Sequence, residues 1–564
     1  MDPPSETKWD DLSSDLIKRI ADCLPPAEIA CTFRLINKAA AKLFPAQPAV
    51  HLSEPVPCHF FVWYWSRPEE ALHNLTLKQR RQLLVLTARS GCLANLKVAL
   101  DASGCPLTEE VFDAAAVGGH LHTCQWLLAR FCPRGRTAVS AAARAGHLPT
   151  VLWLLQQERH PSHRRVAQHA AWAAAAGAGQ RALCQGLAAE GINFDWSALI
   201  SCARGGHQAL FDWLLEPPQI RPKVPEPPPT RLFASPVPLL AAAAHGLGLA
   251  ALQRLHAFLH SLRLLRADAP EALDGALAEA LASPTPDWRA KVQWLREQGA
   301  VLDPDDVTQD ITKRLVTSGQ QRQQQQHQQQ HQQQQDDDDD RLERVQLLLE
   351  WLPPDALEPA VRLLLRDSVR AANLPLVRYL WQAWPDELPG ATAAAPDVAA
   401  EAGDVVVLSE LAALGWELGT SAAWAAARAG RLHVLQWLEG RAAAPADGEE
   451  ALWTVMDERL TAAAAESGSC ELMAWLRERG CGWDERSFEA AVRCGGSPAF
   501  LEWLVEEGCP TGVAGEPYRL AGRNGDMVTV RCLRQLGCPW GPDGNTFDRA
   551  FYQPGGSRSL AVRR

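Results

Sequence analysis

One phrase recurs along this chain, and its repetition limits what the chain can fold into. Residues 141–155 read AAARAGHLPTVLWLL. The phrase returns as AAAVGGHLHTCQWLL at 114–128, CARGGHQALFDWLL at 202–215, AAARAGRLHVLQWL at 425–438 and AAAESGSCELMAWL at 463–476. In six places a glycine and a tryptophan stand seven residues apart: Gly119 and Trp126, Gly146 and Trp153, Gly206 and Trp213, Gly430 and Trp437, Gly468 and Trp475, Gly496 and Trp503. A fixed internal spacing repeated along one chain marks a repeat array.

The phrase has a physical reading. An alanine-rich helix comes first, because alanine has the best helix propensity and lets neighbouring helices approach closely. The glycine ends that helix by taking the left-handed conformation. A second helix follows, with Leu148, Val151, Leu152 and Leu155 three or four apart on one face. The Trp-Leu pair is expected to carry most of the buried area, with Trp153, Trp437 and Trp475 buried between repeats. Several copies close on Gly-Cys-Pro, at 104–106, 508–510 and 537–539. The proline stops the second helix, and Thr108 is the expected N-cap of the next repeat. His120, His147 and His207 hold the same place in successive copies, which points to a turn hydrogen bond rather than to catalysis.

At 564 residues the chain exceeds what one hydrophobic core spans, and a solenoid escapes that limit because each repeat packs on its neighbours alone. Net charge is −11, with five of those charges in Asp336–Asp340 and no basic stripe elsewhere. That balance argues against nucleic acid and anionic membrane as partners. The 15 cysteines are scattered singly without a C-x-x-C pair, and Met1-Asp2-Pro3-Pro4 is not a signal sequence. The expectation is buried, reduced thiols in a cytoplasmic or nuclear protein. No apolar run approaches the roughly 20 residues of a membrane span.

At the N-terminal end, Leu12, Leu16, Ile17, Ile20 and Leu24 trace one helix face, ended by Pro25-Pro26, and a second helix from Ala27 carries Ile29, Phe33 and Ile36. This segment resembles an F-box over Leu12-Ser13, Leu16-Ile17, Ile20, Leu24, Ile29 and the run 34–38. It departs from the family at Ser13, where proline is usual, and at Ala39 and Ala40, where tryptophan is common. The array resembles ankyrin repeats of a degenerate kind. Its glycines recur every 27 or 28 residues, short of the family's 33, and the T-P-L-H-x-A signature is missing. Helix-pair solenoids of other kinds are the alternative. The resemblance implies an all-α, ankyrin-like helix-turn-helix solenoid with a small N-terminal F-box-like domain.

The resulting division is an F-box-like segment at 9–45, a connector at 46–85 and repeats at 86–318. A Gln/His/Asp-rich insert at 319–340, further repeats at 341–540 and a tail at 541–564 complete it. Residues 217–238 form a proline-rich loop, and the insert is expected to be disordered, interrupting one repeat between its two helices. The connector's aromatic run, 60–65, is expected to pack between the N-terminal helices and the first repeat.

Few motifs carry chemistry. Gly246-Leu247-Gly248 and Gly177-Ala178-Gly179 begin G-x-G-x-x-A phrases, but alanine helices precede both, where a dinucleotide site needs a strand. His256/His260 and His327/His331 stand four apart without a third ligand. No catalytic residue, cofactor or metal ligand is assigned. The F-box resemblance implies a substrate receptor of a cullin-RING ubiquitin ligase. In it Leu12, Leu16, Ile17, Ile20, Leu24 and Ile29 would dock a Skp-type adaptor, and the array would hold a target protein. An ankyrin-repeat scaffold without that role is the alternative. A sphingomyelin phosphodiesterase-related enzyme is a third, but its chemistry needs a metal or acid–base cluster, and the sequence offers none.

Overall fold

The computed structural model describes residues 14–24, 26–31, 34, 38–44, 50–66, 71–215, 237–261, 271–307, 309–317, 330–384, 394–442 and 457–541. Among these, the ordered elements are helices, arranged as a repeat solenoid of antiparallel pairs. A left-handed glycine sets the turn inside most pairs, and Ala372 takes that conformation in one other. Gly91 has φ +74° and caps Leu77–Ser90, and a Cβ there would fall 2.3 Å from the His120 ring, so the position excludes a side chain twice over. One expected register shifts: the left-handed residue before Trp503 is Gly495, not Gly496, because that turn is one residue longer.

Two compact units divide the chain. One comprises 1–142, 149–154 and 488–564, the other 143–148 and 155–487. In the second unit a ladder of first helices runs Pro161–Gly177, Trp196–Arg204, Val237–Gly246, Glu271–Leu281, Gln309–Thr317, Pro354–Arg370, Ala395–Ala402, Thr420–Arg428 and Glu458–Ser467, each packed on the next. Small side chains permit this. Ala198, Ala242, Ala276, Ala399, Ala426 and Ala464 are all buried on that seam. Each first helix also packs on its own second helix, from Arg181–Ala189 to Cys470–Glu478.

The second helices bury a narrow stripe. Counted from the turn glycine, the residues at plus four, five and eight are buried: Thr123, Cys124 and Leu127, or Leu472, Met473 and Leu476. At 3.6 residues per turn, plus seven lies about 100° from the centre of that stripe. The tryptophans therefore sit at its edge. Trp126, Trp153, Trp213, Trp437 and Trp503 are half-buried, and only Trp475 of the six is buried, at 7% exposure. The expectation that Trp153 and Trp437 are buried is thus corrected, and the leucine one residue on carries the core in Leu127, Leu214, Leu438, Leu476 and Leu504.

A second recurring device links neighbouring repeats. The residue after the turn glycine donates a hydrogen bond back to a carbonyl at the end of the preceding first helix. His120 Nε2 reaches Arg89 O and His207 Nε2 reaches Gly177 O, both at 3.1 Å. Gln180 reaches Arg144 O at 3.1 Å and Arg431 reaches Glu401 O at 3.1 Å. These bonds satisfy helix-terminal carbonyls that have no partner within the helix. The histidines therefore join one repeat to the next rather than closing their own turn.

The first unit begins with Ser14–Ala21, Pro26–Cys31 and Lys38–Leu43, where Ile17, Ala21 and Ile29 form a small core flanked by Leu24, Leu43 and Phe44. Cys58–Trp65 packs on Leu93–Ser103, burying Phe61 and Trp65. The first repeat starts at Leu77 rather than 86, because Thr76 and Gln79 form a capping box there. Thr108 is the N-cap of Glu109–Val117 but makes no side-chain capping bond.

The other end of the chain packs against this first repeat. Leu77 N donates to Gly495 O at 2.8 Å, Ala499 N to His73 O at 3.0 Å and Met527 N to Gly104 O at 3.2 Å. Arg80 forms a two-pronged ion pair with Asp526, both contacts at 2.7 Å, with the side chains 0% and 1% exposed. Asp526 also caps Met527–Gln535 by accepting from the Thr529 amide and hydroxyl. The repeat at 77–103 and the repeat at 516–535 are neighbours in space.

The acidic insert differs from expectation as well. Residues 318–329 lie outside the described residues, but Gln330–Trp351 is a single helix, so the second half of the expected disordered tract is helical. Two of its carboxylates are partnered. Asp340 accepts from Trp288 Nε1 at 3.0 Å and from Arg344 Nε at 2.8 Å, and Asp338 pairs with Arg341. The helix packs on Gln309–Thr317, as a second helix does on its first. Residues 217–236 of the proline-rich loop and the tail beyond 541 lie outside the described residues, and 237–238 begin the helix Val237–Gly246.

Candidate interaction surface

Two grooves gather the charged and aromatic side chains that the repeats leave at their edges. The first, about 500 Å³, lies in the second unit between Trp288–Glu297 and Gln330–Trp351. Its walls are Trp288, Trp351, Arg289, Arg296, Leu347 and Glu343. Arg296 lies over the Trp351 ring at 4.4 Å, and Arg289 over Trp288 at 4.6 Å. Arg289 is held by Glu343 and by Asp340 at 2.9 Å, so its guanidinium is oriented rather than free to swing. Arg344 is buried, lies over the Trp288 ring at 4.3 Å and donates to the Leu281 and Ser283 carbonyls, each at 2.7 Å.

The second groove, about 550 Å³, lies in the first unit on the first-helix side. Lys78, Arg81 and Arg493 line it, with Glu110 the one acid, alongside Leu77, Gln82, Val85, Cys494 and Asn524. Arg81 donates to the Asn524 carbonyl at 2.6 Å, which fixes it across the contact between the first and last repeats.

The buried charges elsewhere serve the ladder. Glu279 accepts from Arg314 at 2.8 Å and lies 3.1 Å from Arg204 and 3.3 Å from His245, joining four first helices through one carboxylate. Burial pushes the His245 imidazole down to about 4, against the opposing pull of Glu279. Lys291 is fully buried and donates to Ala244 O and Ser283 Oγ at 2.8 and 3.0 Å. Burial lowers its ammonium to about 8. Cys124, Cys184 and Cys202 are pushed up to about 12 by burial, which makes them poor nucleophiles. Among the described residues, no group of three or more His, Cys, Asp or Glu side chains is placed to hold a metal ion. No helix among them is long and apolar enough to cross a membrane.

The structure separates the expected adaptor-docking residues. Leu16 and Ile20 are exposed on Ser14–Ala21, whereas Ile17 and Ile29 are core residues and Leu24 is half-buried beside them. Leu12 lies outside the described residues. The repeat glycines and tryptophans hold the turns and stripe edges described above. Neither groove was visible in the sequence, since each is built by side chains from separate repeats.

No protein-family model matches the chain, and no curated protein does. Solved structures that match the chain include pentatricopeptide repeat proteins. The maize protein PPR10 is 14% identical, over 91% of this chain and 75% of that one, with a TM-score of 0.28. PPR10 in complex with an 18-nt psaJ RNA element is 10% identical, over 97% of this chain and 94% of that one, with a TM-score of 0.24.

These findings correct two expectations. The resemblance to ankyrin repeats and to an F-box does not hold, since no family model of either kind matches the chain. The Gly-to-Trp spacing reports a helix pair closed by a left-handed glycine, which many helical solenoids share. The F-box-like pattern is what any short amphipathic helix in a small cluster produces. The exclusion of nucleic acid, which rested on net charge, also falls. Net charge is a property of the whole chain, whereas Lys78, Arg81 and Arg493 concentrate cations locally. No catalytic family is indicated.

Proposed function

We propose that this chain is a non-enzymatic binding scaffold of helical-repeat type, and that the groove between 288–297 and 330–351 holds part of a macromolecular ligand. The observation that carries the reading is the pair of arginines lying over Trp288 and Trp351 at one groove. A guanidinium over an indole makes a flat, cationic and apolar wall, suited to an aromatic or carboxylate-bearing peptide side chain or to an unstacked base.

The test uses the full chain with two probes, a random single-stranded RNA pool and a displayed random peptide library. Selection from either should yield ligands that Arg296→Ala weakens at least about tenfold, or about 1.4 kcal/mol. Selections that return nothing, or ligands indifferent to both Arg296→Ala and Trp351→Ala, overturn the reading. Which probe succeeds decides between protein and nucleic acid.

A further inference from the structure

Most of the cysteines described are buried one at a time in the core, but two meet. Cys58 is the first residue of Cys58–Trp65, and Cys92 is the N-cap of Leu93–Ser103. Their Sγ atoms stand 3.4 Å apart. The two backbones are already fixed against each other, because Asn95 Nδ2 donates to Val56 O at 2.8 Å in a buried bond and the helices pack together. A disulfide needs the sulfurs at about 2.0 Å. The remaining approach is roughly 1.4 Å, within reach of small side-chain rotations. Cys58 is exposed and Cys92 half-buried, so one sulfur is open to a small reagent and the other waits beside it.

We propose that Cys58 and Cys92 are a redox modification site: a low-molecular-weight disulfide such as oxidised glutathione converts them to an intramolecular disulfide that ties 58–65 to the first repeat. The Cys58 thiolate attacks one sulfur of oxidised glutathione, forming a mixed disulfide and releasing one glutathione thiolate. The Cys92 thiolate then attacks the Cys58 sulfur, and the second glutathione leaves. The two thiol protons end on the two glutathione thiols. The dithiol is oxidised by two electrons and the glutathione disulfide is reduced by the same two. Burial and the neighbouring Cys92 push the Cys58 thiol up, so the first attack accelerates as pH rises.

The tied helix is the one that presents Trp63 and Tyr64, 70% and 50% exposed, at the surface. Oxidation would lock those rings to the array, and reduction would leave them held by packing alone.

The test equilibrates the full chain in glutathione buffers of graded redox poise, quenches with an alkylating reagent and maps the peptides by mass spectrometry. The expected result is a Cys58–Cys92 cross-link, two hydrogens lighter than the dithiol, that appears at a less oxidising poise than any adduct on the exposed Cys23 or Cys494. Amide hydrogen exchange over 58–65 should slow on oxidation, and Cys58→Ser should abolish both effects without loss of helix content. Stable glutathione adducts on Cys58 or Cys92 separately, or a cross-link from either to Cys23, overturn the proposal. A cross-link that forms without slowing exchange over 58–65 overturns the tether.

Discussion

Replacing Asp526 by alanine strips the Arg80 guanidinium of its counter-ion inside the core. Both side chains are buried, and the two contacts are 2.7 Å each. Removing one partner of a buried ion pair costs about 3–5 kcal/mol, because the surviving charge stays out of water unpaired. Arg80 keeps a 3.3 Å bond to the Ser103 carbonyl, which places the expected loss toward the lower end. Asp526 also caps 527–535, and losing that cap adds about 1 kcal/mol. The expected sum is about 4 kcal/mol, or roughly a thousandfold in local opening. Solenoid stability is close to a sum over neighbours, so the loss should be local. Native-state hydrogen exchange should quicken over 77–103 and 516–537 and change little at 405–442. Replacing both residues, as Arg80→Met with Asp526→Leu, should recover much of it, with a coupling energy of about 1–3 kcal/mol. A cost under about 1 kcal/mol for Asp526→Ala, or a response in the C-terminal peptides alone while 77–103 stays protected, would refute this. Either result would mean that the first and last repeats are not packed together.

Other outcomes follow from the same geometry. Leu476→Ala should cost about 2–5 kcal/mol by denaturant titration, whereas Trp437→Ala should cost about 1–2, since only part of that indole leaves water. His120→Ala removes a single link between repeats and should cost about 1 kcal/mol, read as faster exchange at 89–92. Asp340→Ala should cost about 1–3 kcal/mol and expose 330–340 to exchange, because it leaves the Arg344 Nε–H and the Trp288 N–H without their acceptor. For His245, the folded value of about 4 lies below the unfolded 6.5, so between those pH values the unfolded chain binds a proton that the folded chain does not. Stability should fall as pH drops from 6.5 toward 4, by of order 3 kcal/mol in full. His245→Gln should flatten that part of the stability profile relative to the unsubstituted chain.

What could be read from the sequence was local and periodic. Gly119, Gly146 and Gly206 mark turns because a left-handed residue has a chemical signature, and Leu127 and Leu476 mark the core because they recur at helical spacing. Trp437 was misread because bulk suggested burial, while its angular position on the helix puts it at the stripe's edge. Gln330–Asp340 was misread because composition describes a segment by itself. The groups that order it, Trp288, Arg289 and Arg344, lie on another helix or further along its own. Family resemblance failed at the N-terminal end because Leu16, Ile20 and Leu24 follow a pattern that short helices of many origins share. Arg80 and Asp526 could not be paired at all: every repeat presents charges at its ends, and nothing local says which two, 446 residues apart, will meet.

That separation also has a meaning in time. A ribosome adding about 5–20 residues per second finishes the helix that carries Arg80 roughly 20–90 s before it reaches Asp526. Throughout that interval the first repeat presents its packing face, with a guanidinium at its centre, to whatever surrounds the nascent chain. Every repeat between can settle against the one just made, but the earliest must wait for the last. Truncated chains that end before Asp526 would carry the same exposed face permanently, which gives a quality-control system a feature by which to tell them from finished ones.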